Sequence, residues 1–340
     1  MAVSKKPRSA SAKSSKTSPK RKATVPAEAA AAKEAQILPR KAPRALSPHT
    51  AYLTQVLPFG RLTRIMDVGA NPANRPAYAD LVDNGCAEVH GFEPGEAAFR
   101  RLELARGPGE IYHPQAVGLG GEATFHECEN ASFSSLFAPD PAQIAALGHW
   151  QRSMAVTSAI RMRTVALDSI KDLPQPDMLK LDTQGAEHDI LTGGKAILSN
   201  AVVIMPELRF YKLYQDEPMM GRVDQKLRNM GFMLHKILPG AKVRLTSSRI
   251  DRLRPSMTRN QMVDADAIYL RDLARPDEMS VAQLCHLALF ADAVFASMDV
   301  VLRCLDLLVA RNAILDDVIE TYISRLPRNF VVQPPASSET

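Results

Sequence analysis

Residues 65–74 read Ile65-Met66-Asp67-Val68-Gly69-Ala70-Asn71-Pro72-Ala73-Asn74, a short apolar run that ends in an acid and a glycine turn. A buried strand that turns tightly into a helix is the opening unit of an open α/β sheet, and in such sheets ligands dock at the carboxyl ends of the strands. What this turn lacks narrows the ligand. A dinucleotide site places Gly at three positions, G-x-G-x-x-G, so that backbone can approach a pyrophosphate. Counted from Gly69, the second and third of those positions are Asn71 and Asn74, both with side chains. Asp67 at the strand end would also repel a diphosphate and welcome a cationic ligand. A nicotinamide oxidoreductase is therefore a poor reading.

Working outward, Glu93 ends the next apolar run, in Gly91-Phe92-Glu93-Pro94. A carboxylate there can accept both hydroxyls of a ribose. The two acids and the tight turn together suit a nucleoside that has ribose, no phosphate and a positive centre. S-adenosylmethionine, a sulfonium carrying an amino acid, meets all three conditions.

Strands are expected at 65–68, 88–92, 111–119, 177–182, 201–205, 232–237 and 267–270. Helices are expected at a stretch carrying Tyr78, Leu81 and Val82, at 96–105 and at 187–198. This alternation predicts a parallel sheet covered by helices. Between residues 120 and 160 an irregular stretch with Phe125 and Phe133 resembles a hairpin insertion. After Pro276 the pattern is helix only: Leu287, Ala291, Val294, Met298, Val301, Leu305 and Leu308 step by four and three beside a second apolar stripe. Such a wide face suits a cap packed on its own domain better than a dimer seam, which needs only a narrow stripe. A homodimer through these helices is the other partner reading.

The chain has 340 residues, 46% hydrophobic and 23% charged, which argues against wholesale disorder and a membrane-embedded body. Its net charge of +5 is uneven. Residues 1–45 hold 12 Lys and Arg against two acids, leaving 30 bases and 35 acids for the rest. The Lys-, Ser- and Pro-rich start is expected to be disordered, and any weak polyanion contact belongs to residues 1–45. The mildly acidic remainder has no general electrostatic reason to seek nucleic acid, and it lacks the Asn-Pro-Pro-aromatic motif of amino-methylating nucleic-acid enzymes. Cys86, Cys128, Cys285 and Cys304 form no C-x-x-C pair, which fits a reducing compartment. No secretory apolar core opens the chain. Polar residues interrupt Val281 to Leu302 before it reaches a membrane span of about 20 residues. A soluble, cytoplasmic protein is the expectation.

DVGAN at 67–71, GFEP at 91–94, Ser132-Phe133-Ser134-Ser135-Leu136, Thr164-Val165-Ala166-Leu167-Asp168, LKLDTQGAEHDIL at 179–191, and PELRFYKLYQDEPMM followed by Gly231-Phe232 occur in one order. Together they resemble the FkbM-type S-adenosylmethionine-dependent methyltransferases, over about residues 60–271. The resemblance implies an α/β, class I methyltransferase (Rossmann-like) fold: a mostly parallel seven-stranded sheet with helices on both faces, here with a C-terminal helical appendix. It also implies S-adenosylmethionine as cofactor and O-methylation of a hydroxyl on a small molecule or sugar. Carried over by position, Asp67, Gly69 and Asn71 line the methionine end of the cofactor, Glu93 with Pro94 the ribose, and Asp182 the acceptor side. Two positions depart from the family pattern: Ala73 stands near a usual Gly, and Gln184 where Glu is frequent.

An alcohol acceptor benefits from a base, for which Asp182, His188 and Glu207 are the candidates. His188 equally suits a solvent-facing helix position, and Glu207 a structural carboxylate paired with Arg209 or Lys212. Asp182 and Glu207 have no third oxygen ligand to complete a divalent-cation site, so no metal is expected. The boundaries expected are a tail at 1–46, the methyltransferase domain at 47–272, the helical appendix at 277–327 and a flexible end at 328–340. The non-enzymatic alternative is a catalytically weak methyltransferase-like binding module, recruited to an anionic partner by its tail.

Overall fold

The computed structural model describes residues 43–332. The expected disorder of residues 1–42 and 333–340 lies outside the described residues. Ser47 opens the first helix, α1 (Pro48–Val56), where its Oγ accepts the Thr50 N–H at 3.1 Å. Pro48 suits the first helical position because that N–H would be unpaired anyway. β1 (Thr63–Val68), α2 (Ala79–Asp83), β2 (Ala87–Phe92), α3 (Glu96–Ala105) and β3 (Glu110–His113) follow. The strand expected at 111–119 is two strands: after Pro114, which cannot donate to a ladder, the chain leaves the main sheet as β4 (Ala116–Val117). The expected hairpin insertion is a second sheet, in which β4 joins β5 (Gly121–Cys128) and β6 (Val156–Val165) in the order β4-β6-β5. α4 (Pro141–Leu147) lies between β5 and β6, capped by Asp140 and stopped by Gly148 at φ +59°.

The chain returns through β7 (Met178–Leu181), α5 (Glu187–Gly193), β8 (Val203–Arg209), α6 (Met220–Asn229) and β9 (Phe232–Ile237). α5 stops short of the expected Leu198. At Gly193 a side chain would lie 2.6 Å from the Gly118 carbonyl, and at Gly194 2.9 Å from Leu167, so the helix end is pressed onto the second sheet's connections. Two short antiparallel strands, β10 (Lys242–Val243) and β11 (Gln261–Met262), precede β12 (Asp264–Arg271).

The main sheet runs β3-β2-β1-β7-β8-β12-β9, parallel throughout except for β12, which is antiparallel to both neighbours. This is the mostly parallel seven-stranded sheet that the sequence predicts. The chain works outward from β1 to β3 and then jumps back to β7 beside β1, so the strand order reverses between these two. Beyond their carboxyl ends lies the crevice where such sheets bind ligands.

Alternate residues of the strands feed two cores. Met66, Val68, Leu179, Leu181, Ile204 and Leu208 pack with α5 and α6 residues on one face. Ile65, Val89, Met178, Val203 and Met205 share the other cluster with α1 and three late helices, α7 (Val281–Ala293), α8 (Met298–Ala310) and α9 (Asp317–Ser324). A Ser280–Gln283 capping box starts α7, and a turn with Ala296 at φ +47° separates it from α8. Buried Asp292 of α7 ties the layer together. It accepts a hydrogen bond from Thr50 and one from the Tyr322 hydroxyl at 2.7 Å, and it pairs with His49 at 2.7 Å. Among the described residues no helix is long and apolar enough to cross a membrane.

Candidate functional site

Beyond the carboxyl ends of β1, β2, β7 and β8 opens a cavity of about 330 Å³. Glu93 closes it at the β2 end and Glu207 at the β8 end. Three strand spacings of about 4.8 Å separate these positions, roughly 14 Å across the sheet. Phe125, Phe133 and Trp150 from the second sheet and its connections wall one side.

At the β2 end the Gly69 turn sets the backbone. Gly69 and Ala70 both donate N–H to the Phe92 carbonyl at 3.0 Å, which ties β1 to β2. Gly69 has φ +90°, and a side chain there would stand 1.9 Å from the Asp182 carbonyl oxygen. Only glycine allows β1 and β7 to come this close. Asn71 folds its Oδ1 back onto the Ala73 N–H at 2.8 Å and lines the cavity. Glu93 accepts the Gly95 N–H on Oε1 at 2.6 Å, and its other oxygen has no hydrogen-bond partner among the described residues. Burial pushes this carboxyl up to about 7, against the pull of that N–H and of Arg101.

Asp67 does not line the cavity. It is 4% exposed, under the turn, where the Tyr78 hydroxyl donates to Oδ2 at 2.5 Å and Lys180 Nζ stands 3.5 Å from Oδ1. The residue precedes the last residue of β1 and is paired with Lys180 of β7, so its side chain stands on a face of the sheet beside Lys180 and not beyond the strand end. Lys180 also reaches Asp182 Oδ2 at 3.6 Å. Burial works against its charge, but Asp67, Asp182 and Asp266 outweigh it and raise the ammonium's pKa.

At the other end Gln184 is the hub. Its backbone is held at φ +57°. The Ser135 hydroxyl donates to its carbonyl at 2.6 Å, and buried Glu187 accepts the Thr183 N–H at 3.0 Å and the Gly185 N–H at 3.1 Å. The Gln184 amide then works in both directions. Nε2 donates to Asp182 Oδ1 at 3.1 Å and Glu207 Oε2 at 2.8 Å. Oε1 accepts from Arg209 and the Tyr214 hydroxyl, each at 3.1 Å. A glutamate in this place could not donate to the two acids.

Arg209, 4% exposed, also bonds Glu207 at 2.7 Å and Asp264 at 2.9 Å and lies 3.4 Å from Glu217. Burial opposes its charge, and Glu207 and Glu217 more than compensate, so its pKa is raised. Burial likewise pushes Glu207 well above the ordinary carboxyl range; Arg209 opposes this, while Asp182 adds to it.

The fold therefore brings Gly69, Asn71, Glu93, Pro94, Asp182 and Glu207 to one cavity. Asp67 and His188 stand apart. α5 turns Glu187, Ile190 and Leu191 inward. His188 lies off that face, its Nδ1 3.4 Å from Asp189. In sequence, Gln184 reads only as a departure from a frequent Glu, and Arg209 only as a partner of Glu207. The available signal was Glu207 and Arg209 two apart on one strand, hence on one face. Among the described residues no group of three or more His, Cys, Asp or Glu is placed to hold a metal ion.

The sheet order, with its one reversed strand and the acid closing β2, defines a class I, Rossmann-like methyltransferase fold. Residues 67–234 match the family model described as methyltransferase FkbM domain. No curated protein matches the chain. Among solved structures, it is similar to magnesium protoporphyrin IX methyltransferase from Synechocystis PCC 6803 with bound SAM, at 13% identity, over 66% of this chain and 76% of that one, with a TM-score of 0.31. The 1,6-didemethyltoxoflavin-N1-methyltransferase of Burkholderia thailandensis is similar at 11% identity, over 66% and 76%, with a TM-score of 0.32. Precorrin-6y C5,15-methyltransferase of Geobacter metallireducens GS-15 gives 13% identity, 65% and 86%, and 0.30.

Proposed function

We propose that the domain moves the methyl group of S-adenosylmethionine to a hydroxyl of a small molecule or sugar. The observation that carries this reading is one cavity joining Glu93, a half-buried carboxylate with a free oxygen, to Asp182 across the strand-order switch. When bound, S-adenosylmethionine supplies a methyl group already activated by its sulfonium. The protein's share is then mainly positioning. Glu93 would accept the ribose hydroxyls, while Gly69 and Asn71 border the methionine end. Phe125, Phe133 and Trp150 would shield the reacting atoms from water. Asp182 would take the hydroxyl proton as the new C–O bond forms and the C–S bond breaks.

Glu207 is the second candidate for this proton, because burial raises its affinity for one. Its Oε2, however, is already held by Gln184 and Arg209. The test is incubation of the protein with S-adenosylmethionine carrying a deuterated methyl group and a fractionated cell extract, read by mass spectrometry. A labelled product whose methyl group is ether-linked is the expected result. Tight cofactor binding with no labelled product in any fraction would favour the binding-module alternative, and a methyl group on nitrogen or carbon would reject O-methylation.

A further inference from the structure

Between β10 and β11 the chain makes an exposed excursion that the methyl-transfer chemistry does not use. Residues 242–259 carry Lys242, Arg244, Arg249, Arg252, Arg254 and Arg259 against a single acid, Asp251. The chain beyond residue 45 has more acids than bases, so this concentration runs against its surroundings. Arg244 pairs with Asp251 at 3.1 Å. The four outer arginines are exposed, and among the described residues their side chains make no ion pair or hydrogen bond.

Both feet of the excursion stand on the cavity rim. Ala241, just before β10, and Asp264, just after β11, line the cavity and bond each other, the Ala241 N–H donating to Asp264 Oδ1 at 3.1 Å. Thr246 leans the arm onto the aromatic wall: its N–H donates to the Ala146 carbonyl at 2.8 Å, and its side chain abuts Gly148, two residues before Trp150. The base of the arm thus belongs to the Asp182–Glu207 end of the cavity, away from Glu93. Four unpaired guanidinium groups, and no lysine among the outer bases, suit phosphate oxygens, which a guanidinium can engage through two parallel hydrogen bonds.

We propose that this arm is the anion-binding part of the acceptor site, and that the acceptor is a small molecule bearing a phosphate group as well as the hydroxyl that is methylated. This rests on the methyltransferase reading. The hydroxyl would enter toward Asp182, while the phosphate stays outside against Arg249, Arg252, Arg254 and Arg259, clear of the cavity's carboxylates.

Trp150 is the only tryptophan in the chain and lies on the cavity wall, so its fluorescence reports on this rim. The full-length protein is titrated with inorganic pyrophosphate at low salt. A fourfold Arg→Gln variant at 249, 252, 254 and 259 is compared with a fourfold Lys→Gln variant at Lys13, Lys16, Lys20 and Lys22. Pyrophosphate should shift Trp150 emission in the wild type, and the arm variant should need at least tenfold more of it. The tail variant should titrate like the wild type, and all three should bind S-adenosylmethionine alike. Equal weakening in both variants would reduce the effect to net charge and overturn the proposal. So would calorimetric pyrophosphate binding that leaves Trp150 unmoved, or binding to anionic lipid vesicles alone. If the wild type fails to bind S-adenosylmethionine while Trp150 still answers pyrophosphate, the methyltransferase reading fails and the arm is an anion site without an acceptor role.

Discussion

Lowering the pH from about 8 to about 5 should weaken S-adenosylmethionine binding on the order of a hundredfold, through Glu93. Burial lifts this carboxyl from 4.5 to about 7 in the free protein, on the order of 3 kcal/mol against ionisation. Two ribose hydroxyls donating to the carboxylate favour the charged form and lower the pKa in the complex. The form that binds is then fully present above about pH 8. It falls to roughly a tenth at pH 6 and a hundredth at pH 5, and apparent affinity falls with it.

The assay is calorimetry across this range in buffers of different ionisation enthalpy, which also counts the proton released on binding below pH 7. Glu93→Gln removes the titrating group while keeping the shape. Its affinity should be at least tenfold below wild type at pH 8, since hydrogen bonds to a charged group are worth about 1.5–3 kcal/mol, and nearly flat below pH 7. Comparing the two proteins cancels the cofactor's own amino group, which ionises near 8. The same shift acts on stability with a definite sign. Because folding raises the pKa of Glu93, its contribution is fully present below about 4.5 and is lost as pH rises through about 7. The free wild type should therefore lose stability relative to Glu93→Gln over that window. Wild-type binding that is flat from pH 5 to 8, or a variant with the same profile, would refute the reasoning.

Arg209→Met leaves Glu207 and the fully buried Glu217 without their cation. The expected cost is about 3–5 kcal/mol in denaturant unfolding, partly recovered as the pH falls and these carboxyls take up protons. Gly69→Ala forces a side chain against the Asp182 carbonyl at a φ that L-residues avoid. It should lower both the melting temperature and cofactor affinity, and a variant normal in both would show that β1 and β7 can part without harm. Asp182→Asn keeps the shape and removes the charge. It should bind cofactor near normally and lose about a hundredfold or more in turnover, whereas loss of cofactor binding would move Asp182 to the donor side, and full turnover with a dead Glu207→Gln would transfer the base to Glu207.

The order of elements and the acids at the strand tips were legible in the chain itself. Apolar runs closed by Asp67-Val68-Gly69 and by Glu93 are local signals, because a strand, its turn and the acid at its tip are neighbours in sequence. Alternation of strand and helix gave the parallel sheet, and the wide apolar face of Leu287 to Leu308 announced buried helices. Side-chain direction at the site was decided only in three dimensions. Asp67 looked like a cavity acid and is instead claimed by Tyr78 and Lys180, residues 11 and 113 positions away. His188 shared a helix with inward-facing Glu187 but not its face. Gln184 reads as an isolated amide until the fold brings Asp182, Glu207, Arg209 and Tyr214 around it, and the arginine arm reads as one more charged loop until its feet are seen on the cavity rim. Periodicity carries the local half of the structure. Which distant groups compete for a buried charge depends on packing, and no pattern along a single chain encodes it.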